Sequence, residues 1–349
     1  MTRSLFSRIR DKISGVFVTT YAKALVAFRT KHVSGNKQIT VGADDVVLVS
    51  LVKDAEYYLE KLIDHHRALG VKHILLIDNG STDRTRELFV DADDVSVFLN
   101  TLPVKRFECL LRSRIARRFV KGGWFLFVDS DELISFGRGQ GRHISQFAAY
   151  CNMHNYDAVI GQCLDLFSPF AIETTADWSY AESVHRFDQY SLEDISYYDY
   201  FEAENIDFSW FLKGNVISNH DIKFMFGGIR NEVFGENCCL TTHRMVRNTG
   251  GIDLYSHAHC SGNVHCADFA FLIQHYKFCG NLLERDLEIQ RNMAWDHGEN
   301  AKRISRLQSE AGFVISGRHQ QLFVDTEDLI SKGFLVCSDR YLQQFPKIE

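Results

Sequence analysis

Between residues 44 and 128, short apolar runs alternate with amphipathic segments, and this alternation limits the fold more than any other feature of the sequence. The runs have the length and the β-branched or aromatic content of strands, and the segments between them have helical spacing. The predicted strands are Val46–Val52, His73–Ile77, Val95–Leu99 and Trp124–Val128. The predicted helices are Asp54–Leu69, a short one from the capping residues Ser81, Thr82 and Asp83 to Val90, and Lys105–Val120. Such alternation is typical of a parallel sheet covered by helices, so we predict an α/β fold.

The periodicity weakens in the second half of the chain. Tyr156–Phe167 and Phe269–Phe278 are predicted to be strands, and Leu282–Gln308 is predicted to be a charged helix. Trp178–Ser209 is rich in aromatic and acidic residues and has no clear period. We expect a functional boundary near the loop Glu132–Gly141 and no independent folding on either side of it.

Composition excludes several classes of protein. The chain has 349 residues, 45% of them hydrophobic, which is enough to bury a substantial core. Its net charge of −6 argues against a nucleic-acid partner, because nucleic-acid-binding domains usually carry a basic excess. The 9 cysteines are odd in number and scattered, so we expect reduced thiols and a cytosolic location.

The first 36 residues are basic, with Asp11 as the one acidic residue among them. Their apolar residues recur roughly at helical spacing, which predicts an amphipathic helix. The longest uncharged run, Ile13–Ala22, is shorter than the roughly 20 residues that a membrane span requires. Two interpretations stay open: the helix lies on an anionic lipid surface, or it packs on the domain with a solvated basic face.

Acidic residues follow the predicted fourth strand. Asp129 and Asp131 lie two positions apart, and like charges so close repel unless protons or a cation neutralise them. Carboxylate oxygens are the ligands that Mg²⁺ and Mn²⁺ prefer, usually together with phosphate oxygens and water. The pattern therefore predicts a divalent metal site at the carboxyl edge of the sheet, where open parallel sheets bind ligands. The alternative is that these acids only cap the following turn.

A second polar segment follows the second strand. Asp78, Asn79 and Gly80 form either a simple strand-to-helix turn or a nucleotide site. In the second interpretation Asp78 accepts hydrogen bonds from a base or ribose, and the glycine lets the backbone come close to the ligand.

The order and spacing of these segments resemble GT-A-fold glycosyltransferases of the family-2 type. The nearest likeness is to a bacterial subgroup with the patterns K-N-E-A, Y-H-x-x-L-G-V, D-N-x-S-T-D, D-x-D-E-F, L-D-M-Y, G-G-V-R-x-x-x-F and L-H-F-K-F. The segments that match them lie between residues 44 and 280: Val52–Leu59, His66–Val71, Asp78–Asp83, Asp129–Leu133, Leu164–Phe167, Gly227–Gly235 and Gln274–Phe278. Asp54 and Ala55 replace the subgroup's Asn and Glu, which weakens the role of the first loop in holding a nucleoside.

The resemblance implies a GT-A-like, Rossmann-type, mostly parallel sheet flanked by helices, with an acceptor-side elaboration and helices at the C-terminal end. It implies a nucleotide-sugar donor held with Mn²⁺ or Mg²⁺. The metal ligands would be Asp131 and His275, with Asp129 assisting through the donor. The residues implied in donor binding are Val49, Ser50, Leu51, Lys53, Asp78, Asn79, Asp129, Arg230 and Lys277.

An inverting transfer also needs a general base near the acceptor hydroxyl. Asp165, at a predicted strand end, and Asp199, in the acidic aromatic stretch, are the candidates. Other acids of the region compete with them: Glu182, Asp188, Glu193, Asp194 and Glu232. Some aromatic residues of the same stretch are candidates to stack on an acceptor sugar, although core packing is the default for aromatic side chains: Trp178, Tyr180, Tyr197, Tyr198, Phe201 and Trp210.

Three alternatives remain open on the sequence. A haloacid-dehalogenase-type phosphatase also places Asp-x-Asp after an apolar strand, with the first Asp as nucleophile. A catalytically silent binding or scaffold protein would keep the fold without the reaction. A zinc site is the third, although the spacing of the residues concerned matches no structural zinc pattern: His257, His259, Cys260, His265, Cys266, His275 and Cys279.

We therefore expect a cytosolic glycosyltransferase that assembles a surface polysaccharide or glycolipid, with the inner face of the cell membrane as a further site of contact. The expected divisions are a basic segment 1–43, a glycosyltransferase domain 44–280 and a C-terminal helical extension 281–349. Within the domain, residues 44–135 would form the nucleotide-binding half and residues 136–280 the acceptor-side half. The expected partners are a nucleotide-sugar donor, with UDP as the nucleotide, and a glycan or lipid-linked acceptor.

Overall fold

A computed structural model describes residues 20–89, 91–291 and 299–348, with a ten-stranded sheet at the centre. In sheet order its strands are β1 (Lys31–Ser34), β5 (Val95–Leu99), β4 (His73–Asp78), β3 (Val46–Val52), β7 (Trp124–Phe127), β14 (Thr241–Arg247), β9 (Ala158–Asp165), β17 (His265–His275) and β12 (Val216–Ile217). The tenth strand, β8 (Glu132–Ser135), pairs with the carboxyl-terminal part of β17.

Smaller elements surround this sheet. Two-stranded pairs are formed by β2 (Ile39–Thr40) with β6 (Val120–Lys121), β10 (Gln189–Tyr190) with β18 (Gln321–Leu322), β11 (Ile195–Tyr198) with β13 (Phe224–Gly227), and β15 (Asp253–His257) with β16 (Cys260–Gly262). The helices are α1 (Glu56–Ala68), α2 (Val104–Phe119), α3 (Ile144–Met153), α4 (Ile172–Thr175), α5 (Tyr180–Arg186), α6 (Ile229–Phe234), α7 (Leu282–Arg291), α8 (Glu299–Ser309), α9 (Thr326–Ser331) and α10 (Asp339–Gln344). Residues 20–29 are also helical.

The predicted α/β fold class is confirmed. β3 pairs in parallel with β4 and β7, β4 pairs in parallel with β5, and β9 pairs in parallel with β17. β14 is antiparallel to both of its neighbours, β7 and β9. The result is a large, mostly parallel sheet flanked by helices.

Both faces of the sheet are buried, which explains why its strands read as continuous apolar runs. Leu48, Leu76 and Leu126 pack on one side with residues of α1 and α3. Val49 and Phe127 pack on the other side with residues of α2. Each fully buried side chain of this size contributes about 1.5–3 kcal/mol of hydrophobic stabilisation.

Several predicted elements differ from the structure. No strand was predicted at β14. Its sequence, TTHRMVR, is mostly polar and does not alternate between polar and apolar residues, although all its residues but the last are buried. The predicted strand Phe269–Phe278 begins four residues earlier, at His265, and ends at His275. The predicted short helix from Ser81 is a single 3-10 turn at Arg84–Arg86, and Val90 lies outside the described residues.

Near both limits of the described residues, the chain packs against the sheet or its loops. The Val336 carbonyl accepts a hydrogen bond from Ala270 N of β17 at 2.8 Å, and the buried Tyr341 hydroxyl donates to the Gly137 carbonyl at 2.6 Å. Near the other end, β1 pairs antiparallel with β5. α7 lies within the predicted helix Leu282–Gln308, α8 ends one residue beyond it, and residues 292–298 between them are outside the described part. No helix within the described residues is both long and apolar enough to cross a bilayer.

Candidate functional site

The carboxyl ends of β7, β9 and β17 bring acidic and imidazole side chains together. Asp131 follows β7, Asp165 is the last residue of β9, and His275 is the last residue of β17. Asp165 and His275 are register partners across the parallel pair, so their side chains lie next to each other. The Asp131 carbonyl accepts a hydrogen bond from Tyr276 N at 2.8 Å, which ties the loop after β7 to the end of β17.

His275 lies between two carboxylates. Its Nδ1 donates to Asp165 Oδ1 at 2.6 Å, and its Nε2 is 3.4 Å from Asp131 Oδ2. The second oxygen of Asp165 accepts a hydrogen bond from Arg230 Nε at 2.9 Å. The four residues therefore form a continuous polar chain from Asp131 to Arg230, and all of these side chains are largely buried.

The charges in this chain depend on one another. Burial acts to raise the pKa of Asp165, but Arg230 and the His275 ring outweigh it and lower that pKa to about 2. The same balance, with His275 and Lys277 as the opposing charges, holds the pKa of Asp131 well below its usual range. Burial acts to lower the pKa of His275, whereas Cys163, Asp131 and Asp165 raise it. Without a cation, the imidazole is therefore held in its protonated form.

Asp129 has a different environment from Asp131. Its Oδ1 accepts a hydrogen bond from Arg112 Nη2, and its Oδ2 accepts one from Arg244 Nη2 at 2.9 Å. Arg244 Nη2 also donates to Glu132 Oε1 at 2.6 Å, and the other Glu132 oxygen accepts from Asp129 N at 2.8 Å. Burial acts to raise the pKa of Asp129, but the two arginines lower it strongly. Two buried arginines thus neutralise Asp129 without any metal.

Tyr255 holds both of these arginines. The Arg112 guanidinium lies 5.4 Å from the centre of the Tyr255 ring, and Arg244 Nη1 donates to the Tyr255 hydroxyl at 3.3 Å. Tyr255 has φ of 49°, a left-handed conformation that costs a non-glycine residue about 1–3 kcal/mol. The buried contacts of its ring and hydroxyl compensate for that strain.

The sequence interpretation missed Arg112 and Arg244. Arg112 lies in the predicted basic helix, three positions before the buried Ile115, so its place on the apolar side of the helix was the available signal. Arg244 lies in β14, which was not predicted. No local pattern could pair it with Asp129, which is 115 positions away in the sequence.

The side chains of Asp78 and Asn79 are engaged within the protein. Asp78 is completely buried and accepts hydrogen bonds from Gly80 N at 3.2 Å, from Ser81 N at 3.0 Å and from the Ser81 hydroxyl. Asn79 Nδ2 donates to the carbonyls of Asn100 and Leu102 at 2.6 and 2.8 Å. These contacts stabilise the turn after β4, which is the simpler of the two predicted roles for this segment.

The other residues predicted to bind the donor differ in accessibility. Val49 and Ser50 are buried inside β3, Leu51 is half-buried, and Lys53 is exposed at the end of the strand. The Val49 carbonyl accepts a hydrogen bond from Val128 N at 3.1 Å, which fixes the end of β7 against β3. Arg230 contacts Asp165, as described above, and Lys277 contributes charge near Asp131. Lys53 is therefore the most accessible member of this group.

Asp199 lies apart from the polar chain at Asp131, in a different surface region. It is exposed and its Oδ1 pairs with Lys223 Nζ at 2.5 Å. With Phe201 and His220 it lines a cavity of about 530 Å³. Lys223 lowers the pKa of Asp199 through a hydrogen bond and through its charge. The other candidate base, Asp165, has both oxygens engaged.

The cysteines and histidines considered for zinc do not form one group. His257 and His259 stack on Phe208, at ring-centre distances of 4.5 and 5.6 Å. Cys279 donates its thiol hydrogen to the Tyr276 carbonyl at 2.9 Å. Within the described residues, the group of possible ligands whose donor atoms all lie within 4.8 Å of one another is formed by Cys163, Asp165 and His275. His275 is thus the one residue of the predicted zinc set that belongs to it.

Comparison with solved structures gives partial matches. One is glucosyl-3-phosphoglycerate synthase from Mycobacterium tuberculosis in complex with Mn²⁺, uridine diphosphate and glucosyl-3-phosphoglycerate, at 18% identity and a TM-score of 0.25, covering 41% of this chain and 47% of that one. Another is HddC from Yersinia pseudotuberculosis, at 13% identity and a TM-score of 0.25, covering 36% of this chain and 59% of that one. This chain therefore spans about half the length of the structures it matches.

No family model and no curated protein matches the sequence. With an overlap this partial, the function of the chain has to be inferred from its own residues.

Proposed function

We propose that the chain is a metal-dependent glycosyltransferase that takes a sugar from a nucleotide-diphosphate donor. The observation that supports this most directly is the position of Asp131 and His275 at the carboxyl edge of the sheet. The Asp131 Oδ2 and His275 Nε2 atoms are 3.4 Å apart. Two atoms that ligate one Mg²⁺ or Mn²⁺ ion at a right angle are separated by about 3 Å, so only a small adjustment would bring both onto one cation.

The surroundings of His275 fit a metal ligand. Asp165 accepts the Nδ1 hydrogen at 2.6 Å, which orients the ring and leaves Nε2 directed towards Asp131. A carboxylate behind the histidine is the usual partner of a metal-binding imidazole. A cation would take the place of the Nε2 proton, and when bound it would neutralise charge on the departing nucleotide diphosphate.

The remaining residues of the site would position the substrates. Arg230 holds Asp165, and through it His275, by a hydrogen bond of 2.9 Å. Lys277 and Lys53 would supply positive charge for the donor phosphates. The general base would be one of the two predicted candidates: Asp165 lies beside His275 but has both oxygens engaged, and Asp199 keeps one carboxylate oxygen outside its ion pair with Lys223 but lies away from His275.

The finer assignments follow from the sequence resemblance. We propose a UDP-sugar as donor, inversion at the transferred sugar, and a glycan or glycolipid acceptor in the assembly of a surface polysaccharide. The aromatic residues Tyr197, Phe201 and Trp210 are about half exposed or more. We propose that these rings stack on the acceptor sugar.

The geometry disfavours a phosphatase of the haloacid-dehalogenase type. In such an enzyme the first Asp of the pair attacks phosphorus and needs an unhindered carboxylate oxygen. Asp129 has one oxygen bonded to Arg112 and the other to Arg244. The charge of two arginines also makes this carboxylate a weak nucleophile.

The proposed reaction is tested with a panel of nucleotide sugars, measuring nucleotide release with Mn²⁺, with Mg²⁺ and with a chelator. We expect turnover of one donor, and only with metal. In Asp131→Asn the turnover rate should fall by about 10²- to 10³-fold, because the variant lacks a ligand of the cation that would stabilise the developing charge by several kcal/mol. Asp94→Asn is the matched control, since Asp94 is paired with Arg67 at the amino end of β5. Turnover that persists in the chelator would contradict the metal role, and no turnover with any donor would favour a silent binding protein.

We also propose that the N-terminal segment contacts an anionic membrane surface. In the helical residues 20–29, Tyr21 is 70% and Phe28 is 85% exposed, and with Ala24 they share one face of the helix. The opposite face is anchored, because Val26 is buried and its carbonyl accepts a hydrogen bond from Asn100 Nδ2 at 3.1 Å. An outward apolar face in a basic segment of an acidic chain suits the surface of an anionic bilayer.

Flotation with vesicles tests this contact. The wild type should float with anionic vesicles and stay behind with neutral ones, and the double variant Tyr21→Ser with Phe28→Ser should float less. Trp210→Ser is the control, because Trp210 is an aromatic residue of similar exposure, 61%, in another region. Equal flotation of the wild type and the double variant would refute the contact.

A further inference from the structure

Cys163 lies beside the polar chain formed by Asp131, His275 and Asp165, and the proposed transfer does not use it. On β9 it precedes Asp165 by two positions, so both side chains are on the same face of the strand. The Cys163 sulfur, one oxygen of Asp165 and one ring nitrogen of His275 lie within 4.8 Å of one another. Sulfur, imidazole and carboxylate donors are thus brought together at one point of the sheet edge.

The geometry points to a site for a thiophilic divalent cation, such as Zn²⁺ or Co²⁺, formed by Cys163, Asp165 and His275. This inference rests on the proposed function only in that the catalytic cation is placed at His275 as well. A thiolate, an imidazole and a carboxylate are the donors that Zn²⁺ takes in tetrahedral sites, whereas Mg²⁺ takes oxygen donors. Distances within 4.8 Å allow the three donor atoms to converge on one ion after small side-chain rotations.

Burial of these residues favours a specific site over loose surface binding. Cys163 is 7% exposed, Asp165 is 4% exposed and His275 is 8% exposed. Their backbones are fixed by the parallel pairing of β9 with β17, in which Asp165 faces His275. A cation that binds would displace the thiol proton of Cys163 and the proton on the ring nitrogen of His275 that becomes the ligand.

The site overlaps the position proposed for the catalytic cation. His275 and Asp165 serve both arrangements: Asp131 Oδ2 lies 3.4 Å from His275 Nε2, and the Cys163 sulfur lies within 4.8 Å of a ring nitrogen of the same histidine. Soft and hard cations should therefore compete, and a bound Zn²⁺ should exclude Mg²⁺ or Mn²⁺ from the Asp131 position. Divalent zinc also binds nitrogen and sulfur donors more tightly than manganese does.

Cobalt absorption tests the sulfur ligand directly and does not depend on activity. The full-length protein is titrated with Co²⁺ without nucleotide, and a thiolate-to-cobalt charge-transfer band in the near ultraviolet is expected. Zn²⁺ should remove the band at a stoichiometric concentration, whereas Mg²⁺ should weaken it only at a far higher concentration. The band should be lost in Cys163→Ser and in Cys163→Ala, and Zn²⁺ should bind these variants about tenfold or more weakly than it binds the wild type.

Cys151→Ser is the matched control, because Cys151 is equally buried but lies on α3. A wild type without the band, or a band that survives in both Cys163 variants, overturns the inference. Thermal unfolding of each variant establishes that the loss is measured on folded protein, and a wild type without the band overturns the inference whether or not the variants fold. A band without sugar transfer would refute the proposed function alone, and transfer without a band would refute this site alone.

Discussion

The two parts of the sheet edge use their polar residues in different ways. At the end of β4, Asp78 is satisfied by residues two and three positions ahead of it, Gly80 and Ser81. At the ends of β7, β9 and β17, Asp129 and Asp165 are satisfied by residues 115 and 110 positions away, Arg244 and His275. The first arrangement stabilises a turn. The second depends on the whole sheet and places charged side chains where a ligand could bind them.

This difference has a physical consequence for what mutations should do. When a local network loses one member, only the turn around it opens, and the remaining polar groups then bind water. A long-range buried charge network leaves uncompensated charges behind when one member is removed. Substitutions in the second region should therefore have the larger effects.

The largest effect is expected for Arg244→Met. This change leaves Glu132, which is 3% exposed, without its guanidinium partner and removes one of the two arginines on Asp129. We expect the free energy of unfolding to fall by about 3–5 kcal/mol, measured by denaturant unfolding. Arg247→Met, on the same strand but half-exposed and 4.0 Å from Asp157, should cost less than about 1 kcal/mol. Equal losses in the two variants would contradict the distinction between the regions.

A pH dependence of stability should arise at two buried histidines outside these strand ends, because its cause is burial and not distance in the sequence. Burial lowers the pKa of His66 on α1 to about 3 and the pKa of His243 on β14 to about 4. The unfolded chain binds protons at these residues below about pH 6.5, and the folded chain does not until the lower pKa is reached. Stability should therefore fall as the pH decreases from about 6.5 to about 4, by roughly 2–3 kcal/mol per histidine.

Unfolding free energies measured between pH 7.5 and 4.5 test this expectation. In His243→Gln the slope of the unfolding free energy against pH should correspond to about one bound proton fewer than in the wild type. The same reduction is expected in His66→Gln, on α1. Profiles with unchanged slopes in both variants would show that these rings are not neutral in the folded protein.

A smaller effect is expected for Asp165→Asn, which keeps the shape of the side chain and removes the negative charge behind His275. Loss of such an outer partner usually weakens metal affinity by about 10- to 100-fold, measured here as Mn²⁺ binding by calorimetry. Asp268→Asn is the control, because Asp268 is equally buried and accepts a hydrogen bond from the Tyr150 hydroxyl at 2.9 Å. If both variants bind Mn²⁺ like the wild type, Asp165 does not support the cation.

The smallest effect should come from the local region. Ser81→Ala removes the hydroxyl that donates to Asp78 and accepts from Asp54 N at 2.9 Å. We expect a loss of about 1–2 kcal/mol in the free energy of unfolding, because Asp78 keeps two backbone donors. Ser331→Ala, in an exposed helix end, should change stability by less than about 0.5 kcal/mol. If Ser81→Ala lost more unfolding free energy than Arg244→Met, the local region would be the more sensitive of the two, contrary to our expectation.

Much of the first region could be predicted from local pattern. β3 and β5 have the bounds predicted from their apolar runs, and α2 differs from its prediction by one residue at each end. The predicted cap at Asp83 exists as well, since its side chain accepts from Thr85 N at 2.9 Å, although it begins a single 3-10 turn. These features depend on residues that are close in sequence, so a window of a few residues contains the information.

The second region could be predicted only in part. Asp129, Asp131, Asp165 and His275 were all recognised as polar residues at or near strand ends, but their pairing was not. The arginines on Asp129 were missed, because one is buried on a helix that appears merely basic and the other lies in an unpredicted strand. A charge pattern shows that neutralisation is needed and does not show which residues supply it.

The sequence by itself determined the alternation of strands and helices, and with it the sheet edge at which Asp131 lies. The reason is that hydrophobic periodicity acts within single elements and is visible in any one of them. Only the tertiary structure decided that Asp129 pairs with arginines, that His275 lies between Asp131 and Asp165, and that Cys163 joins them. Those contacts depend on strand order and register, which are properties of the assembled sheet.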